Sequence, residues 1–247
     1  MPRIRIKIKR EQIFTDAFAQ LQYRSSKEMR GKLDIEFHGE AGIDAGGLTR
    51  DFYIELSREM FNPGYSLFTP TSNGVSFHPN TNSQVNPDHL NFFRFIGRII
   101  GKALFDGHLL ELQFSKPMYK MMVGDPLEFK DLRDLDNEFY RSCSWVLEND
   151  PENQGLSFSV NQEYFGKCSN IDLKEKGSDL DVTNQNKHEY LELLSHWQMY
   201  KRVQEQCDAF LRGFHDMVPK KFVRIFSAQE LELLISGLPK VDCKLHK

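Results

Sequence analysis

Four cysteines and eight histidines are the residues of this 247-residue chain best suited to nucleophilic or metal chemistry. Cys143, Cys168, Cys207 and Cys243 are scattered, with no CxxC pair and no Cys/His cluster at zinc-ligand spacing. They read as free thiols of a reducing compartment. No histidine falls in HExxH and no serine in GxSxG. A complete hydrolase using a Cys–His pair brought together only by folding stays open as a rival reading. The expectation is no catalytic residue, no metal and no cofactor within these residues.

Two further stretches have the composition of a binding site. Gly39 to Gly47 is glycine-rich and leads into a helix, as a phosphate cradle must, because backbone amides have to approach the anion closely. Neither GxGxxG nor a P-loop motif is present, and Glu40 and Asp44 would repel phosphate, so a structural turn is expected. Arg3, Arg5, Lys7, Lys9 and Arg10 could grip nucleic acid in a stand-alone interaction module. Their alternating partners are isoleucines rather than stacking aromatics, and the net charge is −3. A charge-protected edge strand is the preferred reading, and nucleic acid is disfavoured as a partner.

The third candidate is apolar. Residues 125–183 hold fourteen Asp and Glu against six Lys and Arg, although the rest of the chain is mildly basic. Such a field steers basic partners. Inside it, Phe139, Cys143, Val146 and Leu147 recur at i, i+4, i+7 and i+8, one face of a helix over about 136–148. Tyr140 and Trp145 extend the apolar surface round the helix. A subdomain of this size has little interior to bury two faces. Patterning leaves two outcomes open: a partner groove ringed by acid, or an ordinary subdomain core.

The elements that must position these residues follow from periodicity. Residues 3–9 and 33–37 alternate as strands, and 11–24 carry the helical period. Ser25 with Glu28 and Ser227 with Glu230 have capping-box spacing. Helices are expected over about 48–60, from Pro87 to Asp106, over 115–123, and from a cap at Thr183 or Asn184 through about 212, with an interruption allowed. Short strands are expected near 156–160 and 180–182. In the last helix Leu231, Leu234 and Ile235 form the apolar stripe, and Gly237 suits a left-handed end. The class is α+β: a mostly helical body with small antiparallel sheets and an inserted smaller subdomain. No apolar run approaches a membrane span, and the first residues lack a signal-peptide core.

Several stretches together resemble the HECT domain of ubiquitin-protein ligases. They are Asp44 to Phe52, Ser57 to Pro63, Asn86 to Leu90 with Phe95 to Arg98, Val146 to Pro151, Val182 to Asn184, Phe210 to Phe214, and Glu230 to Leu238. They occur in family order from about residue 3 to 242. The resemblance implies an enzyme that accepts ubiquitin from a ubiquitin-conjugating enzyme onto its own cysteine and passes it to a substrate lysine. It covers the N-terminal lobe only. The family's catalytic cysteine lies in a Thr-Cys-Phe context that is absent here, so this chain is expected to be inactive by itself.

The resemblance also divides the lobe, with 1–124 and 206–247 as a large subdomain and 125–205 as the small one that recruits the conjugating enzyme. The family's recruitment groove falls on Phe139, Ser142, Cys143, Val146 and Asn149 of one helix, Leu156 after it, and Tyr190 and Leu194 of another. Asn149 and Cys143 depart from the aromatic and larger aliphatic that relatives often carry. On this reading Phe139, Val146 and Tyr190 are partly exposed around one depression, with Asp134 and Asp136 on its rim. The implied partners are a conjugating enzyme, ubiquitin, and substrate proteins bound through regions outside this chain, in the cytoplasm with the nucleus as a further compartment.

Overall fold

A computed structural model describes residues 3–40, 46–152, 154–164 and 166–237. The chain opens with β1 (Arg3–Ile8), then α1 (Ile13–Leu21), α2 (Ser26–Met29) and β2 (Lys32–Phe37). Ile4, Ile6 and Ile8 are buried and the basic residues between them are exposed, as the alternation predicts. β1 and β2 pair in parallel, Ile6 opposite Ile35. This departs from the expected antiparallel pairing, because two helices intervene and return the chain by a crossover rather than a hairpin. The other two sheets are antiparallel, and the α+β class holds.

After α3 (Gly47–Glu59) come β3 (Phe68–Pro70) and β4 (Phe77–Pro79), a small hairpin. α4 (His89–Asp106) ends where Gly107 adopts a left-handed φ of 74°. α5 (Lys116–Val123) follows, then α6 (Leu132–Leu135) and α7 (Asn137–Glu148). The centre of the glycine-rich turn, residues 41–45, lies outside the described residues. At its edge Glu40 accepts from Arg10 at 2.9 Å.

The strands expected near 156–160 and 180–182 are placed differently. β5 (Ser159–Tyr164) and β6 (Lys167–Asp172) form an antiparallel hairpin, while Ser157 and Asp181 make an isolated bridge. α8 (Lys187–Met199) and α9 (Gln204–Met217) are separated by a 3-10 turn at Lys201–Val203, the expected interruption. The start of α8 also corrects the expectation. Asn186, not Thr183 or Asn184, precedes the helix; its side chain accepts from Thr183 N at 2.8 Å and donates to Asp181 O at 3.0 Å. α10 (Lys220–Val223) and α11 (Ala228–Ser236) are the last elements among the described residues. Both capping boxes form. Leu231 and Ile235 are buried but Leu234 is exposed, so the last helix buries a narrower stripe than its sequence offered. Gly237 has φ 74° with ψ −169°, an extended exit rather than a left-handed cap.

Two apolar clusters result. The larger gathers β1, β2, α1, α3, α4, α5, α9 and α11. Its axis is the crossing of α4 and α9, where a Cβ at Gly97 would fall onto the Phe210 carbonyl, and one at Gly213 onto the Arg94 carbonyl. Only glycine lets these backbones approach so closely. The smaller cluster contains Leu132, Cys143, Val146, Phe158, Val182, Tyr190, Leu191, Leu194 and Met199.

Polar ties join the two. The fully buried Asp131 carboxylate receives Lys120 Nζ at 2.6 Å and the Glu128 amide at 2.9 Å, with Lys116 Nζ at 3.5 Å. His78 bridges Ser115 Oγ at 2.7 Å and the Met199 carbonyl at 3.0 Å. The Ser72 amide donates to Leu135 O, and Ser72 Oγ accepts from the Asn137 amide.

Candidate functional site

Asp136 ends one turn and starts α7: its carboxylate accepts from the Phe139 amide at 3.0 Å, fixing where Phe139 enters the helix. On α8, Tyr190, Leu194 and Trp197 lie at i, i+4 and i+7 and so share a face. α7 and α8 pack against each other, and Phe158 holds Tyr190 from beneath with ring centres 5.4 Å apart, edge to face.

The eight expected groove residues separate into three groups. Phe139, Tyr190 and Leu194 line a depression of about 500 Å³, joined by Val160, Trp197 and a polar side made by Thr81, Asn161, Gln162, Gln198 and Arg202. Cys143 and Val146 belong to the small core, and Leu156 packs half-buried against it. Ser142 and Asn149 are exposed. Ser142 Oγ donates to Glu138 O within its own helix, and the Asn149 carbonyl accepts from Lys187 of α8 at 2.8 Å.

The expected partial exposure of Val146 and Tyr190 is corrected, at 7% and 6%. Both sit on the inward faces of α7 and α8, and closing these helices over Phe158 removes them from solvent. Tyr190 still lines the depression despite its burial. The large apolar residue on α7 that stays open is Trp145, at 45%.

Chemistry at the cysteines is weak. Burial, with Asp136 adding to it, pushes the Cys143 thiol up to about 11, and burial raises Cys207 as well. Neither is a ready thiolate near neutral pH. Cys168 is exposed on β6, and Cys243 lies outside the described residues. The acidic rim is partly committed: Asp134 pairs with Lys116 at 3.7 Å, and Asp136 serves as the helix cap. The basic strand is committed too. Lys7 pairs with Glu36 at 2.8 Å and Arg5 with Asp34 at 3.6 Å across β1 and β2, which removes the support for a nucleic-acid surface.

Sequence reasoning missed Trp197, Val160 and Arg202. Trp197 carried a signal, since it continues the spacing of Tyr190 and Leu194. Val160 and Arg202 carried none, because their approach depends on how the hairpin and the turn after α8 fold over the helices.

Residues 54–246 match the family model described as HECT-domain (ubiquitin-transferase). The chain is 47% identical over 244 residues to "E3 ubiquitin-protein ligase TOM1-like" of Neurospora crassa. It is 45% identical over 244 residues to "E3 ubiquitin-protein ligase TOM1" of Saccharomyces cerevisiae. Against "E3 ubiquitin-protein ligase RSP5" of Emericella nidulans it is 43% identical over 239 residues. These alignments take in 98%, 98% and 96% of this chain but only 6%, 8% and 29% of the relatives.

Proposed function

Because this chain belongs to the HECT-domain family of ubiquitin transferases, we propose that it is the lobe of a ubiquitin-protein ligase that docks a ubiquitin-conjugating enzyme. Residues 125–205 act as the recruiting subdomain, and 1–124 with 206–247 as the body that carries it. The observation that carries this reading is the depression shared by Phe139, Tyr190 and Leu194, set in the acidic part of the chain. An apolar loop of the conjugating enzyme fills the depression, and the surrounding carboxylates speed encounter with a basic helix of that enzyme. Val146, Cys143 and Leu156 support the walls from within. Ser142 and Asn149 contribute polar contacts at the edge.

In the whole ligase the docked enzyme's ubiquitin thioester is attacked by a ligase thiolate, and the conjugating enzyme's thiolate leaves. A neutral substrate lysine then attacks the new thioester, forming the amide as the ligase thiolate leaves and takes the amine's proton. On this reading the lobe supplies position and the nucleophile comes from elsewhere in the ligase, since the Thr-Cys-Phe context of the family's catalytic cysteine does not occur in this chain. Cytoplasm and nucleus are the proposed compartments.

The test is a binding screen of the 247-residue chain against a panel of conjugating enzymes. Phe139→Ala, at a half-buried site, should weaken the best binder about thirtyfold, a loss of about 2 kcal/mol. Unchanged affinity in a folded Phe139→Ala protein removes the reading. With activating enzyme, conjugating enzyme, ATP and ubiquitin all present, the same chain should gain no reductant-sensitive adduct.

A further inference from the structure

The sequence holds a single Asn-Gly pair, Asn73–Gly74, in the turn between β3 and β4. Gly74 is left-handed, with φ 70°, and open space surrounds the place where a Cβ would stand. Nothing there obstructs a five-membered ring between the Gly74 nitrogen and the side-chain carbonyl carbon of Asn73. The two groups are already tethered through the bonds of one residue, so the closure is intramolecular. Any Asn-Gly pair shares that much. This fold adds the setting of the side-chain amide.

Asn73 Oδ1 accepts from the Val75 amide at 2.8 Å, from the Ser76 amide at 3.1 Å and from Thr71 Oγ1 at 2.9 Å. Backbone amides only donate, so the atom they meet is the carbonyl oxygen. Donors held on a carbonyl oxygen stabilise the negative charge that arrives there when its carbon is attacked. The nitrogen side is furnished as well. Asn73 Nδ2 lies 3.3 Å from Ser76 Oγ, and Ser76 Oγ lies 2.7 Å from Thr71 Oγ1. Thr71 and Ser76 are both buried. A path of two hydroxyls therefore runs from the oxygen of this amide to its nitrogen.

We propose that this turn promotes deamidation of Asn73, a self-modification whose co-reactant is water, and that the product loosens the joint between the hairpin and the small cluster. Gly74 gives up its amide proton to hydroxide, and its nitrogen attacks Cγ of Asn73. The carbonyl electron pair moves to Oδ1, which takes a proton from water and restores the hydroxide. That proton passes through Thr71 and Ser76 to Nδ2 as the carbonyl reforms, the Cγ–Nδ2 bond breaks and ammonia leaves. Water then opens the succinimide at either carbonyl, leaving aspartate or isoaspartate at 73. The Gly74 amide donates to Thr71 O at 2.8 Å, so loss of its proton is the slow step and the rate rises with pH. Isoaspartate adds a carbon to the main chain and displaces the acceptor of the Val75 and Ser76 amides. The next residue back, Ser72, carries the bonds to Leu135 O at 3.1 Å and to the Asn137 amide at 3.2 Å. Asp134 and Glu138 line the same depression as Asn73, so a new carboxylate there is repelled in the same sense.

The 247-residue chain would be held at mildly alkaline pH, folded and in guanidinium chloride, and sampled by peptide mapping and by isoaspartyl methyltransferase labelling. Asn73 should react at least about tenfold faster in the folded chain, since the donors on Oδ1 are assembled only by the fold. Thr71→Val removes one donor and the relay, so it should slow the folded rate at least about tenfold and leave the unfolded rate unchanged. In the aged protein, amide exchange at Ser72 and Asn137 should rise. Equal or slower reaction in the folded chain overturns the proposal. So does an unchanged rate in a folded Thr71→Val protein, or unchanged exchange at Ser72 and Asn137 once Asn73 is consumed. Should Thr71→Val fail to fold, the comparison of folded with unfolded chain still decides. No conjugating enzyme is present, so the outcome does not depend on the docking reading.

Discussion

The large cluster closes around two long helices, α4 and α9, whose backbones touch at Gly97 and Gly213, and their side chains are dry along the crossing. The small cluster closes α7 and α8 over one hairpin and leaves a depression of about 500 Å³ along its side. The difference lies in how much chain each has to work with. A large body buries whole helix faces, whereas a subdomain of some eighty residues runs out of interior first and keeps aromatic surface at its margin. That margin is where docking is proposed. The small cluster has a close approach of its own, since a Cβ at Gly177 would fall onto the Phe158 carbonyl. The two regions can therefore be perturbed by the same kind of change.

The largest effect is expected from that pair of changes. Gly213→Ala should cost about 3 kcal/mol or more, because the collision is with backbone that cannot rotate away. It should lower the melting temperature of the whole chain. Gly177→Ala makes a similar collision, but its loss of amide-exchange protection should stay within the small subdomain and spare α4 and α9. If both variants lose protection everywhere, the two clusters form one cooperative unit and the comparison fails.

The joint comes next. Asp131→Ala leaves Lys120 beside an empty, water-poor site, and removal of one partner of a buried pair costs about 3 kcal/mol. Exchange should rise first at 125–135 and at the end of α8. An effect spread evenly over the chain would place Asp131 in the general core instead.

A smaller, pH-dependent loosening should come from His78. Burial pushes its pKa down to about 3, against an ordinary value of 6.5. The unfolded chain takes up the proton between those values and the folded chain does not. Stability is therefore full above about pH 6.5 and declines as pH falls toward 3, by about 2 kcal/mol at pH 5. Because His78 holds the Met199 carbonyl, the acid effect should appear at the joint before the large cluster. A His78→Gln protein with an unchanged slope of stability against pH would assign the acid sensitivity elsewhere.

The smallest effect is expected on the basic strand. Glu36→Gln removes an exposed partner of Lys7, and the melting temperature should move by less than about 2 °C. A larger loss would mean that the two-stranded parallel sheet depends on its charged face rather than on Ile4, Ile6 and Ile8.

Much of this architecture was legible in residue order. The isoleucine alternation, the two capping boxes, the run from His89 to the glycine at 107, and the helix carrying Phe139, Cys143 and Val146 each follow from local chemistry, since period and cap are set by residues within one turn or one pleat. The hairpin of β5 and β6 was misplaced because its polar residues carry little alternation, and its pairing depends on the helices beneath it.

Of the candidate site, sequence determined the parts and tertiary structure chose among them. Spacing put Phe139, Cys143 and Val146 on one face of α7, and Tyr190 and Leu194 on one face of α8. It could not decide which would be sealed and which left open. That depended on α8 closing against α7 above Phe158, which buries Cys143 and Val146 and leaves Phe139 half open. Nor could it bring Arg202 and Val160 to the same depression. Periodicity assigns each side chain to a face of its own element, and the neighbour that face meets is fixed only by long-range packing.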